Sequence, residues 1–402
     1  MPQTRFYGWT VVAAAFVVAV IGWGVGFYGP PVYLQAVRDA RGWSVALVSA
    51  AMTLHFLIGA VVVANLPRLH RRFGIPAITV AGAVSLALGV AGWATARAPW
   101  QLFAATFFSG AGWVTLGAAG INAMVSPWFN RRRPAALSMA YNGASIGGVI
   151  FSPLWVALIG WGGFPLAAAS VGVAMIAIIL LLSWQVLGRT PTPEDEDSPT
   201  AMPIRRDRVE NLWKDRAFQT LALGMALGLF AQIGLIGHLF SLLVPAMGAQ
   251  AAGLAAGLST AMAIGGRTLV GWLMPANTDR RIVGAANYSV QIAGCAAFLA
   301  AGGTNVPLLL AGVVLFGMGI GNTTSIPPLI AQSEFAREDV GRAVALITAV
   351  SQGFYAFAPA VFGLIREEAA VPVLFVVAAL LQAAAAVAYW GGRGAWCGVG
   401  PR

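Results

Sequence analysis

The sequence predicts an all-α membrane protein whose twelve transmembrane helices form two six-helix halves with a pseudo-repeat. Three observations lead to this fold class: the composition, the lengths of the apolar runs and a pattern that recurs at half the chain length. Of the 402 residues, 58% are hydrophobic and only 9% are charged, whereas soluble domains carry about 25% charged residues. We therefore expect most of the chain to lie in a lipid bilayer.

Twelve apolar runs are each long enough to cross a bilayer as a helix, which takes about 20 residues. The first six lie near residues 9–36, 43–66, 74–96, 99–127, 134–160 and 163–187. The second six lie near residues 217–245, 250–274, 281–301, 305–333, 340–365 and 370–391. The first run is too long for the apolar part of a signal peptide, so we expect it to be retained as the first helix.

Residues 188–216 separate the halves 1–187 and 217–402, and we expect them to form a cytoplasmic central loop. The stretch TPTPEDEDSPT has the proline-rich, acidic composition of a flexible linker. The basic stretch that follows places Val209, Leu212 and Trp213 on one helix face, which favours a helix along the membrane surface. A solvated run of charges accounts for this stretch equally well.

The distribution of basic residues predicts the orientation of the chain. With the N-terminus in the cytoplasm, the inner loops and both termini contain 19 of the 24 Lys and Arg residues. Because cytoplasmic loops retain Lys and Arg, we expect both termini to be cytoplasmic, in a bacterial inner membrane. The basic clusters at 68–74, 130–134 and 278–281 serve this topology, and no basic stripe with interleaved aromatics indicates a nucleic-acid partner.

Two short patterns repeat at nearly the same offset. SIGGVIFSP, which ends at Pro153, and SQGFYAFAP, which ends at Pro359, share the pattern S-x-G-x5-P. GAG at 110–112 likewise matches GMG at 317–319. A parallel repeat of half the chain is one way in which large transporters are built, and small residues at such spacings let helices approach closely.

With its six plus six helices, central loop and repeats, the chain resembles the major facilitator superfamily over essentially its whole length. It is most similar to the branch of monocarboxylate transporters and oxalate–formate antiporters. The similar stretches are YGWTVVAAAF, RGWS, PWFNRRRPAALSMAYNGASIGG and GGRTLVGWL. The resemblance implies the major facilitator fold and secondary transport of small organic anions such as monocarboxylates by alternating access. It also implies that Arg267, in the last stretch, binds the substrate carboxylate.

The chain departs from the family in two loops. Between helices 2 and 3, PRLHRRFG keeps Gly74 but has Pro67 and Arg71 where the family has Gly and Asp. After helix 8, GWLMPANTDRR keeps Gly271 but has Pro275 in place of Asp. We expect Gly74 and Arg71 to contribute to gating, although no particular substrate can be inherited from the family.

Arg267 is the most informative residue within the predicted spans. All 14 acidic residues fall outside the spans or at their ends, and an Arg at the centre of a membrane helix costs roughly 2.5–3.5 kcal/mol. A guanidinium matches a carboxylate through two parallel hydrogen bonds, so we expect Arg267 to bind the substrate anion. The alternatives are an arginine that extends toward the cytoplasm or one that caps backbone carbonyls.

Two histidines and several neutral polar residues complete the predicted substrate route. His55 and His238 are candidates for a proton relay because histidine titrates near neutral pH, and His238 is also a candidate for substrate contact. For both, a neutral hydrogen-bonding role between helices is the alternative. The neutral candidates for substrate binding, each of which could instead serve packing, are Tyr28, Trp113, Asn142, Ser145, Asn322, Thr323, Gln352 and Tyr355.

The outer half of helix 1 is weakened by Gly24, Gly26 and Gly29, followed by Pro30 and Pro31. A proline inside a helix removes a hydrogen bond and bends the helix. We interpret Pro30 and Pro31 as part of a gate that flexes during transport, with a static kink as the alternative.

Other functions remain open at this stage. The chain could export amphipathic drugs or metabolites, although cationic drugs usually need a buried carboxylate, which is missing. It could also be a membrane protein without transport activity. The spans contain no metal-ligand cluster, phosphate loop or activated nucleophile, so we expect neither an enzyme nor a cofactor. We expect a monomer that transports a small organic anion, either together with a proton or in exchange for a second anion.

Overall fold

The computed structural model describes residues 6–129, 132–191, 211–274 and 278–393. The chain divides into two compact units, Met1–Ala201 and Met202–Arg402. This division falls within the predicted central loop 188–216, of which residues 192–210 lie outside the described residues, so the loop boundaries stay a prediction. In unit 1 the helices are α1 Gly8–Gly26, α2 Gly29–Arg41, α3 Val45–Phe73, α4 Ile75–Thr95, α5 Pro99–Thr115, α6 Ala118–Val125 and α7 Arg133–Leu182. In unit 2 they are α8 Arg216–Leu273, α9 Arg280–Ala301, α10 Val306–Glu334, α11 Arg337–Tyr355, α12 Ala358–Glu368 and α13 Val371–Gly391.

The described part of the chain contains ten segments that are long and apolar enough to cross a membrane. Two of them, α7 with 50 residues and α8 with 58, would extend about 75 and 87 Å at 1.5 Å per residue, more than twice the ~30 Å thickness of the hydrocarbon core. Each is interrupted by a glycine with φ 76° and ψ 165°, Gly163 in α7 and Gly248 in α8. Divided there, they supply the predicted helices 5 to 8. The all-α, multi-pass membrane fold is confirmed, and the count of twelve crossings rests on this division.

Helix 1 differs from the single helix predicted over 9–36, because it consists of α1 and α2 separated by Phe27 and Tyr28. Pro30 and Pro31 lie buried in the first turn of α2. Proline is tolerated there because the first N–H groups of a helix have no intrahelical partner. The two prolines therefore begin a new helix and do not bend an existing one.

The repeated glycine pairs make equivalent packing contacts in the two units. In unit 1, a Cβ on Gly110 would collide with the carbonyl oxygen of His55 in α3, and one on Gly112 would collide with Gly82 in α4. In unit 2, a Cβ on Gly317 would lie 2.6 Å from the carbonyl oxygen of Ser259 in α8. Its partner Gly319 likewise faces α9. Gly110 and Gly317 thus fit against the second membrane helix of their half, and Gly112 and Gly319 against the third. These equivalent contacts explain the repeat.

The start of unit 2 differs from the surface helix considered for residues 209–213. Leu212 is fully buried in a cluster with Phe218, Tyr288 and Tyr389, and it lies in a short 3-10 turn, Leu212–Lys214. Trp213 is 52% exposed, while Val209 lies outside the described residues. Leu212 and Trp213 therefore do not share one lipid-facing side, and Leu212 anchors the segment to the core of unit 2.

Candidate substrate-binding residues

Arg267 lies in the second part of α8, half-buried, six residues before the helix ends at Leu273. At a rise of 1.5 Å per residue this places it about 9 Å along the helix from that end. The neighbouring Trp272 is 87% exposed, as expected for a tryptophan at the boundary between lipid and water. This position fits a guanidinium within the membrane-spanning part of the helix, and that placement stays a prediction.

Small residues bring α8 and α10 close together beside Arg267. A Cβ on Gly266 would collide with the carbonyl oxygen of Met318, and one on Gly321 would lie 2.5 Å from the carbonyl oxygen of Ala263. The same Cβ on Gly321 would lie 3.1 Å from Nε and 3.2 Å from Nη2 of Arg267. The guanidinium consequently lies in the space that a side chain at position 321 would occupy.

The hydrogen bond from Arg267 Nη2 to the carbonyl oxygen of Gly321 is long, at 3.4 Å. That oxygen also accepts hydrogen bonds from the hydroxyl groups of Ser325, at 3.0 Å, and Thr324, at 3.2 Å. Because the acceptor is shared and the distance is near the upper limit for a hydrogen bond, this contact is weak. A guanidinium has five N–H donors in a planar fork, and a carboxylate is a much stronger acceptor than a shared carbonyl.

The other candidates of unit 2 occupy different environments. Asn322 and Thr323, next to Gly321, are buried and donate to carbonyl oxygens of their own helix, those of Met318 and Gly319. His238 is fully buried in the first part of α8. Gln352 and Tyr355 are half-buried near the end of α11. Asn322 and Thr323 directly follow Gly321, whose carbonyl contacts Arg267, and the substrate-binding roles of all these residues stay predictions.

His238 connects two helices of unit 2. Its Nε2 lies 3.1 Å from the carbonyl oxygen of Pro359 in α12. A carbonyl oxygen only accepts, so Nε2 carries the proton of this bond. The geometry fits the alternative role, in which a neutral histidine joins two helices.

His55 is held on both ring nitrogens within unit 1. Its Nε2 lies 3.0 Å from the carbonyl oxygen of Gly26, and its Nδ1 lies 2.9 Å from Oγ of Ser109. The indole Nε1 of Trp93 donates to the same Oγ at 3.2 Å. With the Nε2 proton directed at Gly26, Nδ1 of the neutral ring accepts a hydrogen bond from the Ser109 hydroxyl. The hydrogen bonds then run in one direction, from Trp93 through Ser109 and His55 to Gly26. His55 is 1% exposed, which fits a neutral structural residue, and its relay role stays a prediction.

The break in helix 1 leaves three successive carbonyl groups that side chains then cap. Trp155 Nε1 donates to the oxygen of Gly24 at 3.2 Å, and Tyr33 Oη donates to that of Val25 at 3.0 Å. His55 supplies the third donor, to the carbonyl of Gly26. In a regular helix this carbonyl would accept from the N–H of residue 30, but Pro30 has no N–H. The kink is therefore pinned by α2, α3 and α7, which fits the static alternative. Gating by Pro30 and Pro31 stays a prediction.

Two of the remaining unit 1 candidates lie around the same break. Tyr28 is buried and packs edge-to-face on Phe27, with ring centroids 5.0 Å apart. Trp113 is buried and stacks on His55 at 6.2 Å. In α7, Asn142 is half-buried and Ser145 buried, and Gly143 between them packs against the backbone of α1. The structure thus brings Tyr28 and Trp113 into the His55 neighbourhood and leaves Asn142 and Ser145 farther along α1.

Gly74 and Arg71 occupy the turn between α3 and α4. Gly74 has φ 80°, ends α3 through a hydrogen bond from its N–H to the carbonyl of His70, and directly precedes α4. A residue with a side chain would be strained in this conformation. Arg71 is exposed. Gly74 therefore has a structural reason to be glycine, and a gating role for either residue stays a prediction.

Unit 2 contains an ion pair that the sequence did not predict. Arg281, counted above as a loop charge, is 1% exposed and forms two hydrogen bonds with Glu334, Nε to Oε1 at 2.6 Å and Nη2 to Oε2 at 2.7 Å. It also donates to Thr220 at 3.0 Å and to the carbonyl of Ala217 at 2.8 Å. Arg281 thus joins the starts of α8 and α9 to the end of α10. Arg281 therefore has a structural role in addition to its place in the basic cluster at 278–281.

The chain is similar to proteins that carry small molecules across membranes. Over 236 residues it is 27% identical to Monocarboxylate transporter 11 of Mus musculus, an alignment that covers 56% of this chain and 50% of the relative. The chain thus matches about half the length of that curated relative. This agrees with the branch that the motifs indicated.

Solved transporter structures share the fold across nearly the full chain. A bacterial homolog of the human lysosomal transporter Spinster aligns with a TM-score of 0.72 and 15% identity, covering 100% of both chains. The nucleoside transporter NupG aligns with a TM-score of 0.74 and 12% identity, covering 95% of this chain and 99% of the other. At these identities the likeness establishes the fold alone.

The family model of the Major Facilitator Superfamily matches residues 11–359, which is most of the chain and includes both units. The match agrees with the helical, multi-pass fold and with the transporters that share it. The chain therefore belongs to the Major Facilitator Superfamily, as a membrane transporter and not an enzyme.

Proposed function

We propose that this transporter moves small organic anions, monocarboxylates in particular, by alternating access, and that Arg267 binds the carboxylate. The observation that carries the proposal is a half-buried guanidinium within an apolar helix, α8, whose Nη2 contacts a shared carbonyl oxygen of α10 at 3.4 Å. A carboxylate that meets the planar fork would form shorter, charge-assisted bonds. The similarity to Monocarboxylate transporter 11 supports the same substrate class.

The two buried histidines do not have to take part in coupling transport to a proton. His55 and His238 are both buried and each donates to a backbone carbonyl, so neither needs to carry a proton for its structural role. A monocarboxylate could bring its own proton or exchange for a second anion at Arg267. Both modes use the same arginine and differ in whether transport responds to a pH gradient.

Counterflow in proteoliposomes tests the proposal. Vesicles loaded with an unlabelled monocarboxylate should take up the labelled acid, and a panel of mono- and dicarboxylates would define the class. Removal of one partner from a buried, hydrogen-bonded charge pair costs roughly 2–5 kcal/mol, so Arg267→Gln should reduce kcat/KM about thirtyfold or more. The control is Arg97→Gln, which removes an exposed arginine and should leave uptake unchanged.

Two outcomes contradict the proposal. If none of the acids shows counterflow, or if Arg267→Gln transports as well as the native chain, Arg267 is a structural residue. Neutral drugs and metabolites would then be the next substrates to test, in keeping with the exporter alternative.

A further inference from the structure

Gly321 in α10 lies against the backbone of α8 and also against the side chain of Arg267. Gly317 and Gly321 lie one helical turn apart on α10, and both face backbone carbonyls of α8, at 2.6 Å from Ser259 and 2.5 Å from Ala263 for a Cβ built on each. These two contacts are nearly equal. Only at Gly321 would the added carbon also meet Nε and Nη2 of Arg267, at 3.1 and 3.2 Å.

We propose that Gly321 is a positioning residue for anion binding, because its missing side chain leaves space for the Arg267 guanidinium beside the carbonyl that Nη2 contacts. This inference rests on the proposed function and adds a residue on a second helix to it. A separation of 3.0–3.4 Å is tighter than most Cβ contacts. A methyl group at position 321 must therefore push the guanidinium away or separate the helices.

Displacement of the guanidinium and separation of the helices can be told apart, because a methyl group at position 317 should cause only the separation. Gly317→Ala forces the same helices apart at nearly the same backbone distance, yet its neighbours are Ser259 and Met262, not Arg267. Any effect that Gly321→Ala shows beyond Gly317→Ala is then due to the displaced guanidinium. Misplacement of a binding group by about 1 Å can cost up to ~10²-fold.

The experiment measures KM and kcat of carboxylate counterflow for Gly321→Ala and Gly317→Ala. Contacts at 3.1 and 3.2 Å require the guanidinium to move by a few tenths of an ångström, so we expect Gly321→Ala to raise KM by roughly three- to tenfold. Gly317→Ala should raise it by no more than about twofold, with similar kcat values for the two variants. Both changes are repeated in an Arg267→Lys background, where the side chain has Cε in place of Nε and no atom in place of Nη2. There the excess effect of Gly321→Ala should be smaller.

Equal effects of the two glycine variants on KM, or the same factor for Gly321→Ala in both backgrounds, would overturn the inference while leaving the proposed function intact. If the native chain transports no carboxylate, the proposed function fails first. The positioning claim is then decided by thermal unfolding in detergent. Gly321→Ala should lower the unfolding midpoint more in the native chain than in Arg267→Ala, and an equal shift in both would refute it.

Discussion

The buried pair of Arg281 and Glu334 offers the sharpest test of the structure. We expect Glu334→Gln to destabilise the protein, because it removes the negative charge and points an amide N–H₂ at a guanidinium that is 1% exposed. Loss of one partner from a buried ion pair costs about 3–5 kcal/mol. Arg281 keeps its bonds to Thr220 and Ala217, and the glutamine keeps one acceptor, so we expect the lower end, about 3 kcal/mol.

A second ion pair supplies the matched control. Asp279 pairs with Arg393 at 2.7 Å, but the two side chains are 29% and 33% exposed. Asp279→Asn removes the same charge and keeps the oxygen that caps α9 through the N–H of Arg281. An exposed pair contributes about 0–1 kcal/mol, so this variant should change the unfolding midpoint little.

Cys295 provides the assay, since it is a fully buried free thiol. A thiol-reactive dye reports its exposure on heating, in a Cys397→Ser background that leaves one cysteine of the two in the sequence. With about 2–4 °C per kcal/mol for a domain of 150–250 residues, Glu334→Gln should lower the midpoint by roughly 6–12 °C and Asp279→Asn by no more than about 4 °C. Equal shifts for the two variants would refute the claim that Arg281 is buried and depends on Glu334.

Two further predictions concern unit 2. Gly248→Ala should destabilise the protein by about 1–3 kcal/mol, because the backbone of Gly248 has φ 76° and ψ 165°, a region that only glycine adopts readily. The control is Gly271→Ala, at a helical position where an added Cβ also meets nothing within 4 Å. This variant should stabilise the protein by up to about 1 kcal/mol through helix propensity. A loss from both would contradict the backbone argument. Gln291→Leu should lower the free energy of unfolding by about 1–3 kcal/mol. Gln291 forms hydrogen bonds with the buried amides of Gln232, at 3.2 Å, and Gln382, at 3.0 Å, and both amides would lose this partner. Replacing all three by leucine should recover most of that loss in the same thermal assay, and no recovery would mean that the amide network is not the cause.

The sequence was sufficient to predict the features that depend on local pattern. Apolar run length located the spans, and a single guanidinium in an apolar run marked Arg267. Its neighbour Gly321 had a weaker signal, the G-x-x-x-G spacing with Gly317, which indicates close helix approach but not which side chain uses the space.

Features that depend on pairing between distant helices could not be read from the sequence. Arg281 and Glu334 are 53 residues apart, and each lies at the end of an apolar run, where charges usually face water. The donors that cap the helix 1 break were equally hidden, because tryptophan and tyrosine in apolar runs are expected to pack, and nothing local shows that Trp155 donates to Gly24.

The capped break in helix 1 has a consequence for how the protein is made. The carbonyl of Gly24 receives its donor from Trp155, 131 residues later in the chain, and a bare carbonyl in lipid costs several kcal/mol. At a synthesis rate of roughly 5–20 residues per second, about 7–26 s pass between the two residues leaving the ribosome. Helix 1 can therefore acquire the full set of donors at its break only after α7 has been synthesised.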